Sequence, residues 1–450
     1  MDDLSRQSLR NQFKDKKILI VGLGLQGGGL GLAKFFVDLG AKVSVTDKKT
    51  AQQLLESINR LKEYDIRFIL GRHEEADFLN ADIIFKGPSV PWSLPQLISA
   101  QKKGIPIEME SSFFMSLCPA PIIGITGTRG KTTTTMMIYE LAKLSGKKVH
   151  LAGNIPQTST INLLSSIDQN DLVIMELSSW QLAGFHRKKI SPHIAVFTNF
   201  FPDHLNLYSS MDEYLYDKKA IYFYQKPEDF LVINEGLKLQ IVSDLIKGKV
   251  FFFNSRSFPS QQAHLRGVHN LENAGAAFQV SQILGIDPLK SITLLKSFKS
   301  IPYRQQTVEE KNGVIFINDT TSTTPTATIR GLDAFSDKPI ILILGGNSKN
   351  LPTDVLINRL IDTRKIILLK GSFTDEILSI LKEKYPEKVS EPYDDLGEAV
   401  NQAYEESLKV KKSKGLDVYL LFSPGATSFA MFNNEFHRGD EFNRIVTTLK

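Results

Sequence analysis

Short runs of aliphatic and β-branched residues recur along the chain, separated by amphipathic segments of helix length: KILIVG, KVSVTD, ADIIFKG, PIIGITG, DLVIMEL, IAVFTN, FLVIN, VIFIND, IILILGG, KIILLKG and VYLLFS. Runs of this kind alternating with helices predict α/β layers whose parallel sheets are buried on both faces. No repeat of solenoid period and no low-complexity tract interrupts the series. Pro and Gly concentrate at KGPSVPWSLP and KKGIPIE, between about Gly87 and Glu108, and a second seam falls at KSIPYRQQ near Pro302, after a helical run beginning HNLENAGAA. These seams predict three α/β domains, 1–105, 106–301 and 302–450.

At 450 residues the chain exceeds one core, since a domain takes roughly 100–200 residues. Its 42% hydrophobic content is enough to fill several. The 54 basic and 49 acidic residues leave a formal charge of +5, mild for this length and no argument for nucleic acid. The short clusters KDKK and KVKKSK read as solvated faces. Cys118, the single cysteine, excludes an internal disulfide framework and fits a reducing compartment. The segment MDDLSRQSLRNQFKDKK has no apolar run of signal-peptide type. No stretch approaches the ~20 apolar residues of a bilayer-crossing helix. The expectation is a cytoplasmic protein that binds neither nucleic acid nor membrane.

The run PIIGITGTRGKTTTT changes the picture from fold to chemistry. After the strand, Gly127 and Gly130 permit a tight turn that aims several N–H groups, including that of Thr128, at one anion. Lys131 then opens a helix whose N-terminal dipole adds positive potential, and Thr132 or Thr133 offers an oxygen to Mg²⁺. That is the form of a triphosphate cradle. The spacing departs from GxxxxGK[ST], because Ile125 stands where the first Gly belongs. The plain alternative is an ordinary strand-to-helix turn. The helix TTTTMMIYELAKLSG follows as a cradle requires.

A second glycine-rich turn lies in ILIVGLGLQGGGLGLAKFF, with Gly22, Gly24 and Gly27 in GxGxxG register and Asp47 at the end of the next strand. This is a dinucleotide-type fingerprint whose ligand, on the residues alone, is NAD, a nucleotide sugar or nothing. The strand in DLVIMELSSWQL ends at Glu176, a carboxylate that is costly to bury without a partner and therefore suits a metal, the bland reading being a surface turn. IAVFTNFFPDHLNLY is expected to end with Asp203 and His204, a second metal-capable strand end, although a histidine there can be incidental. In YLYDKKAIY, Lys218 and Lys219 share a helix with Tyr214 and by themselves read as solvated lysines.

TGTRGKTTTT, GNIP, ELSSWQL, TNFFPDHLNLY with a following YxxxK, GxHNxxN, YR, ND and SPGATSF occur in one order along essentially the whole chain. That ordered set resembles the Mur ligases, ATP-dependent enzymes that add amino acids to a UDP-N-acetylmuramoyl precursor of peptidoglycan. The glutamate-adding branch is the best match, through the GLGLQG turn with Asp47, ELSSWQL and SPGATSFAMFNNEFHRGDEF. The resemblance implies a Rossmann-like N-terminal domain for the uridine diphosphate and a central P-loop ATPase-type domain with a parallel sheet for ATP. It also implies a Rossmann-like C-terminal domain that closes over them with the amino acid. The expected enzyme is a monomeric, ADP-forming ligase joining D-glutamate to UDP-N-acetylmuramoyl-L-alanine. NAD becomes unneeded.

Carried over position by position, Gly127, Thr128, Gly130, Lys131, Thr132 and Thr133 would hold the ATP phosphates, and Asn273, Arg304 and Asp319 the adenine, phosphate and ribose side. Two Mg²⁺ ions would be held by Thr132, Glu176, His204 and the helix lysine that takes up CO₂ to become a carbamate. That lysine aligns with Lys218, and Lys219 is the runner-up. Leu25, Gln26 and Asp47 would contact the sugar nucleotide, and Asn154 would lie near its reacting carboxylate. Thr323, Lys349, Ser428 and Phe429 would receive the glutamate.

The chain departs from the branch where NDSKATN is usual: it has Asn318 to Thr324 as NDTTSTT and so lacks that Lys. LGGNSKN offers Asn347 where an Asp is usual, GNIG becomes GNIP, and SPACAS becomes SPGATS. These changes keep open a relative that adds L-glutamate or another amino acid, and, in a different class, a nucleotide-binding regulatory protein without turnover.

Overall fold

The computed structural model describes residues 3–23, 28–154, 159–203, 208–259, 267–298, 301–428 and 431–449. Among them, the strands form three sheets, one of five and two of six. The first contains β1 (Lys17–Val21), β2 (Lys42–Asp47), β3 (Ile66–Leu70), β4 (Ile83–Lys86) and β5 (Ile107–Glu108), all parallel, in the order β3-β2-β1-β4-β5. Successive connections leave β1 in opposite directions, so the carboxyl ends of β1 and β4 form a topological switch point, the place where open α/β sheets bind ligands.

The second sheet contains β6 (Ile122–Thr126), β7 (Val149–Gly153), β8 (Leu172–Glu176), β9 (Ile194–Phe197), β10 (Phe230–Asn234) and β11 (Lys249–Phe253), again all parallel. Its order is β11-β10-β9-β6-β8-β7, so β6 is flanked by β8 and β9, and the chain switches sides there as well. Every residue of β6, β8 and β9 is buried, which is why these strands read as unbroken apolar runs.

The first two sheets belong to one compact unit, Met1–Phe200 with Tyr214–Ser257 and Gly275–Ser291. They share a core in which Phe13, Phe36, Phe85 and Phe113 pack edge-on or tilted at ring separations of 4.7–5.9 Å.

The third sheet lies in a second unit, Phe201–Glu213 with Phe258–Ala274 and Ile292–Lys450. It contains β12 (Gln306–Lys311), β13 (Val314–Asn318), β14 (Ile340–Gly345), β15 (Lys365–Leu369), β16 (Val389–Tyr393) and β17 (Val418–Phe422), ordered β12-β13-β17-β14-β15-β16. It is parallel except for β12, which returns antiparallel on β13. The two-residue turn Asn312-Gly313, with φ of 50° and 72°, makes that hairpin. Asn-Gly with both φ positive is the type I′ geometry that matches strand twist.

Candidate active site

The glycine loop after β6 is built by its neighbours. Gly127 has φ 151°, and a Cβ there would lie 1.9 Å from Thr198 Oγ1. Only glycine fits that backbone at that approach. Beyond it the loop is braced from the end of β9: Thr128 N–H donates to the Asn199 carbonyl (2.9 Å) and Arg129 N–H to Asn199 Oδ1 (2.8 Å), while Thr198 Oγ1 and Asn199 Nδ2 donate to the Arg129 carbonyl. Gly130, with φ 76°, ends the loop as the N-cap of the helix Lys131–Lys143. The Lys131 ammonium lies over the loop, donating to the carbonyls of Gly127 (3.1 Å) and Thr128 (3.2 Å). Thr132 and Thr133 follow in the first turn, partly exposed.

Glu176 ends β8 beside this loop, because β8 pairs with β6 in the register Ile125 to Glu176. Its side chain is 2% exposed. One carboxylate oxygen accepts from Asn154 Nδ2 (3.1 Å), and the other, Oε2, is buried without a hydrogen-bond partner among the described residues. A half-satisfied buried carboxylate beside a phosphate loop fits a cation, since such a group is costly to leave unmatched. The residues after it turn sharply because Ser178 and Gln181 form a reciprocal capping box on the helix Ser179–Lys188.

The two adjacent lysines face different surroundings. Lys218, 1% exposed on the helix Met211–Phe223, donates to the Gly127 carbonyl (2.8 Å) and lies 4.8 Å from the Tyr214 ring centre. Tyr214 OH in turn is 3.3 Å from Thr128 Oγ1. Lys219 instead pairs with Asp244 (2.8 Å), which also accepts from Tyr222 OH (2.6 Å). Lys131, Glu176 and Lys218 therefore surround one loop, and Lys219 does not. β9 ends at Phe197, so Asp203 does not close that strand as the sequence suggested: Thr198 and Asn199 divert the backbone to brace the loop. His204 lies outside the described residues. Among the described residues no three His, Cys, Asp or Glu side chains converge as a ready-made metal site.

At the first glycine turn, Asp47 Oδ2 accepts from Leu23 N–H (2.9 Å) and Oδ1 from Lys49 N–H (2.9 Å), pinning the turn to the end of β2. Gly24, Leu25, Gln26 and Gly27 lie outside the described residues.

In the second unit, Asp319 follows β13 and is held by Ser322 Oγ (2.6 Å), Ser423 Oγ (2.8 Å) and Gln305 N–H (3.2 Å). Burial pushes its carboxyl up to about 6 against these bonds and the nearby Arg304. Asn273 is bonded to Asn270 (3.4 Å), which reaches Gln305 (3.3 Å), so the segments carrying Asn273, Arg304 and Asp319 are stitched together through Gln305. Lys349 lies 3.4 Å from Thr323 Oγ1 and 3.6 Å from the buried Asp203 carboxylate. Ser428 Oγ is buried without a partner among the described residues, and Phe429 lies outside them.

Sequence reasoning passed over Arg438. Its guanidinium, 1% exposed, donates to the carbonyls of Ala426 and Thr320 and to Thr320 Oγ1, tying the SPGATS loop to the NDTTSTT segment. An arginine in HRGDEF gave no signal of this, because its partners lie far away in the chain.

A braced glycine loop with its lysine, at a switch point and beside a buried, half-satisfied carboxylate, defines an α/β enzyme that uses a nucleoside triphosphate. The comparisons with known proteins narrow that class. Residues 16–108 match the Mur ligase MurD-like N-terminal domain, and residues 125–257 match the Mur ligase middle domain. The UDP-N-acetylmuramoylalanine–D-glutamate ligase of Roseiflexus sp. (strain RS-1) is 35% identical, over 97% of this chain and 99% of its own length. The ligases of the same name from Borreliella afzelii (strain PKo) and Clostridium tetani (strain Massachusetts / E88) are 34% and 33% identical, each over 98% of this chain and 99% of their own.

Among solved structures, the UDP-N-acetylmuramate-alanine ligase MurC of Thermotoga maritima shares the fold with a TM-score of 0.58 at 16% identity, covering 97% of this chain and 100% of that one. The MurF ligase of the same organism, solved with ADP, has a TM-score of 0.56 at 16% identity, covering 99% of each chain. The chain belongs to the Mur ligase family of ATP-dependent ligases.

Proposed function

We propose that the chain joins D-glutamate to UDP-N-acetylmuramoyl-L-alanine with conversion of ATP to ADP and phosphate, a step in building peptidoglycan precursors. The observation that carries this reading is similarity along 97% of the chain to a ligase of that name. We assign 1–105 to the sugar nucleotide, 106–301 to ATP and 302–450 to the amino acid. We place the enzyme in the cytoplasm as a monomer serving cell-wall growth and division. Among the described residues no helix is long and apolar enough to cross a membrane.

A carboxylate is a poor acyl donor, because its leaving group would be oxide. The γ-phosphoryl group of ATP is therefore transferred to it first, and the amine of glutamate then attacks the acyl phosphate and expels phosphate. Lys131 and the N–H groups of the 127–130 loop stabilise charge on the phosphoryl oxygens, a task of positioning and electrostatics. Thr132, Glu176, His204 and Lys218 would hold Mg²⁺, which when bound would neutralise further charge on those oxygens. The orphaned Glu176 Oε2 supports that donor set.

As an ammonium, Lys218 would oppose a cation. Its neutral amine forming an N–C bond to CO₂, with loss of one proton, turns it into an anionic carbamate. The pairing of Lys219 with Asp244 favours Lys218 for this role. Asn154, already on Glu176, would orient the reacting carboxylate. Leu25, Gln26 and Asp47 are assigned to the sugar nucleotide, Asn273, Arg304 and Asp319 to the adenine, phosphate and ribose side of ATP, and Thr323, Lys349, Ser428 and Phe429 to glutamate.

The segment NDTTSTT motivates a second reading, addition of L-glutamate or another amino acid. Lys349 beside Thr323 supports the first, by placing a cation next to the segment that lacks one. Purified protein incubated with UDP-N-acetylmuramoyl-L-alanine, ATP and single amino acids is expected to release phosphate with D-glutamate. Release with L-glutamate or another amino acid alone would replace the first reading with the second. Release with none would overturn both.

A further inference from the structure

The segment KGPSVPWSLP was read from sequence only as a seam, yet its first residue is one of the most deeply buried charged groups in the chain. Lys86 ends β4, opposite Val21 at the end of β1, and is 1% exposed. Its ammonium carries three donors. Among the described residues it meets the Gly87 carbonyl (3.1 Å) and the thioether of Met109 (3.7 Å), a weak acceptor, with its charge 4.5 Å from the Trp92 ring centre. Among the described residues no carboxylate forms an ion pair with it. A buried charge without a counter-ion is costly.

The surroundings point to an anion. Lys86 lines a cavity together with Gly22, Gly28 and Gly87, at the carboxyl ends of β1 and β4. Gly28 starts the 11-residue helix Gly28–Asp38, whose N-terminus faces this switch point. We infer that Lys86 is the cationic contact for the diphosphate of the sugar nucleotide. This rests on the proposed function for the identity of the nucleotide, and adds to it a residue that none of the motifs of the chain marks.

The other charged groups around Lys86 sharpen the test. Arg187, on the helix Ser179–Lys188, lies 3.7 Å from the same Trp92 ring centre and opposes the Lys86 charge, while Asp217 on the helix Met211–Phe223 favours it. Glu110, starting the helix Glu110–Leu117, lines the same cavity, its carboxyl held by Ile161 N–H (3.0 Å) and Ser159 Oγ (3.3 Å) and pushed up by burial. Burial first, then Arg187, lowers Lys86 to about 7 in the free protein. A diphosphate contact raises it again, so binding takes up protons near and above pH 7.

Titration calorimetry of the full chain with UDP-N-acetylmuramoyl-L-alanine at pH 7.5, in buffers of different ionisation enthalpy, reads both affinity and proton uptake. Lys86→Met is expected to weaken binding about 10- to 100-fold, the worth of a hydrogen bond to a charged group. It should also abolish the uptake and leave ATP binding unchanged, and Lys86→Arg should retain most of the affinity. Wild-type affinity and uptake in Lys86→Met would overturn the inference and leave the proposed function standing. Loss of ATP binding together with sugar-nucleotide binding would overturn it in favour of a purely structural lysine. Absence of binding by the wild-type protein would remove the proposed function itself.

Discussion

Lys218→Ala is expected to lower turnover about 10³-fold or more, the scale seen when a preorganised charge contact to a reacting group is removed. Added bicarbonate should not restore it, because no amine remains to take up CO₂. A small carboxylate such as formate, which can occupy the space vacated by the side chain, should restore part. The neighbouring substitution predicts the opposite pattern. Lys219 and Asp244 are a largely buried pair, with side chains 12% and 9% exposed. Removing one partner of such a pair costs about 3–5 kcal/mol of stability. Lys219→Ala should therefore melt earlier yet turn over substrate at nearly the wild-type rate while folded. Steady-state kinetics and thermal melts of both variants decide between them, and full activity in Lys218→Ala would remove the carbamate assignment.

Glu176→Gln should reduce turnover about 10²- to 10³-fold and shift the Mg²⁺ requirement upward. The substitution is nearly isosteric. It keeps an oxygen to accept from Asn154 Nδ2, so the local fold should survive, and it removes the charge from the second oxygen, which has no partner among the described residues. If Oε2 merely fills space, the variant will titrate with Mg²⁺ as the wild type does. If it serves a cation, activity will recover in part as Mg²⁺ is raised. Initial rates across a Mg²⁺ series at saturating ATP separate the two.

The strands legible from sequence were the interior ones. β6 (IIGIT) and β17 (VYLLF) are buried at every position, so their composition could hardly be anything but apolar. Those that escaped were the sheet edges. β12 (QTVEEK) and β3 (IRFIL) are only partly covered, β11 (KVFFF) is exposed at four of its five positions, and β16 (VSEPY) carries Pro392. An edge strand is covered on fewer sides and tolerates charge and proline, so its sequence carries less of its structure.

The site divides in the same way. The glycine loop and Glu176 were readable because their chemistry follows a strand within a few residues. The choice between Lys218 and Lys219 was not, since it depends on which side of one helix meets the Gly127 carbonyl. The ties between Arg438 and Thr320, and between Lys349 and Asp203, join residues distant in the chain that only the fold brings together.

The central claim is that the γ-phosphoryl group passes to a substrate carboxylate before the new amide forms. UDP-N-acetylmuramoyl-L-alanine labelled with ¹⁸O in both carboxylate oxygens, turned over with ATP and D-glutamate, tests it by mass analysis of the released phosphate. Transfer of one ¹⁸O atom into each phosphate is the predicted result. Unlabelled phosphate alongside normal formation of the amide would contradict the account.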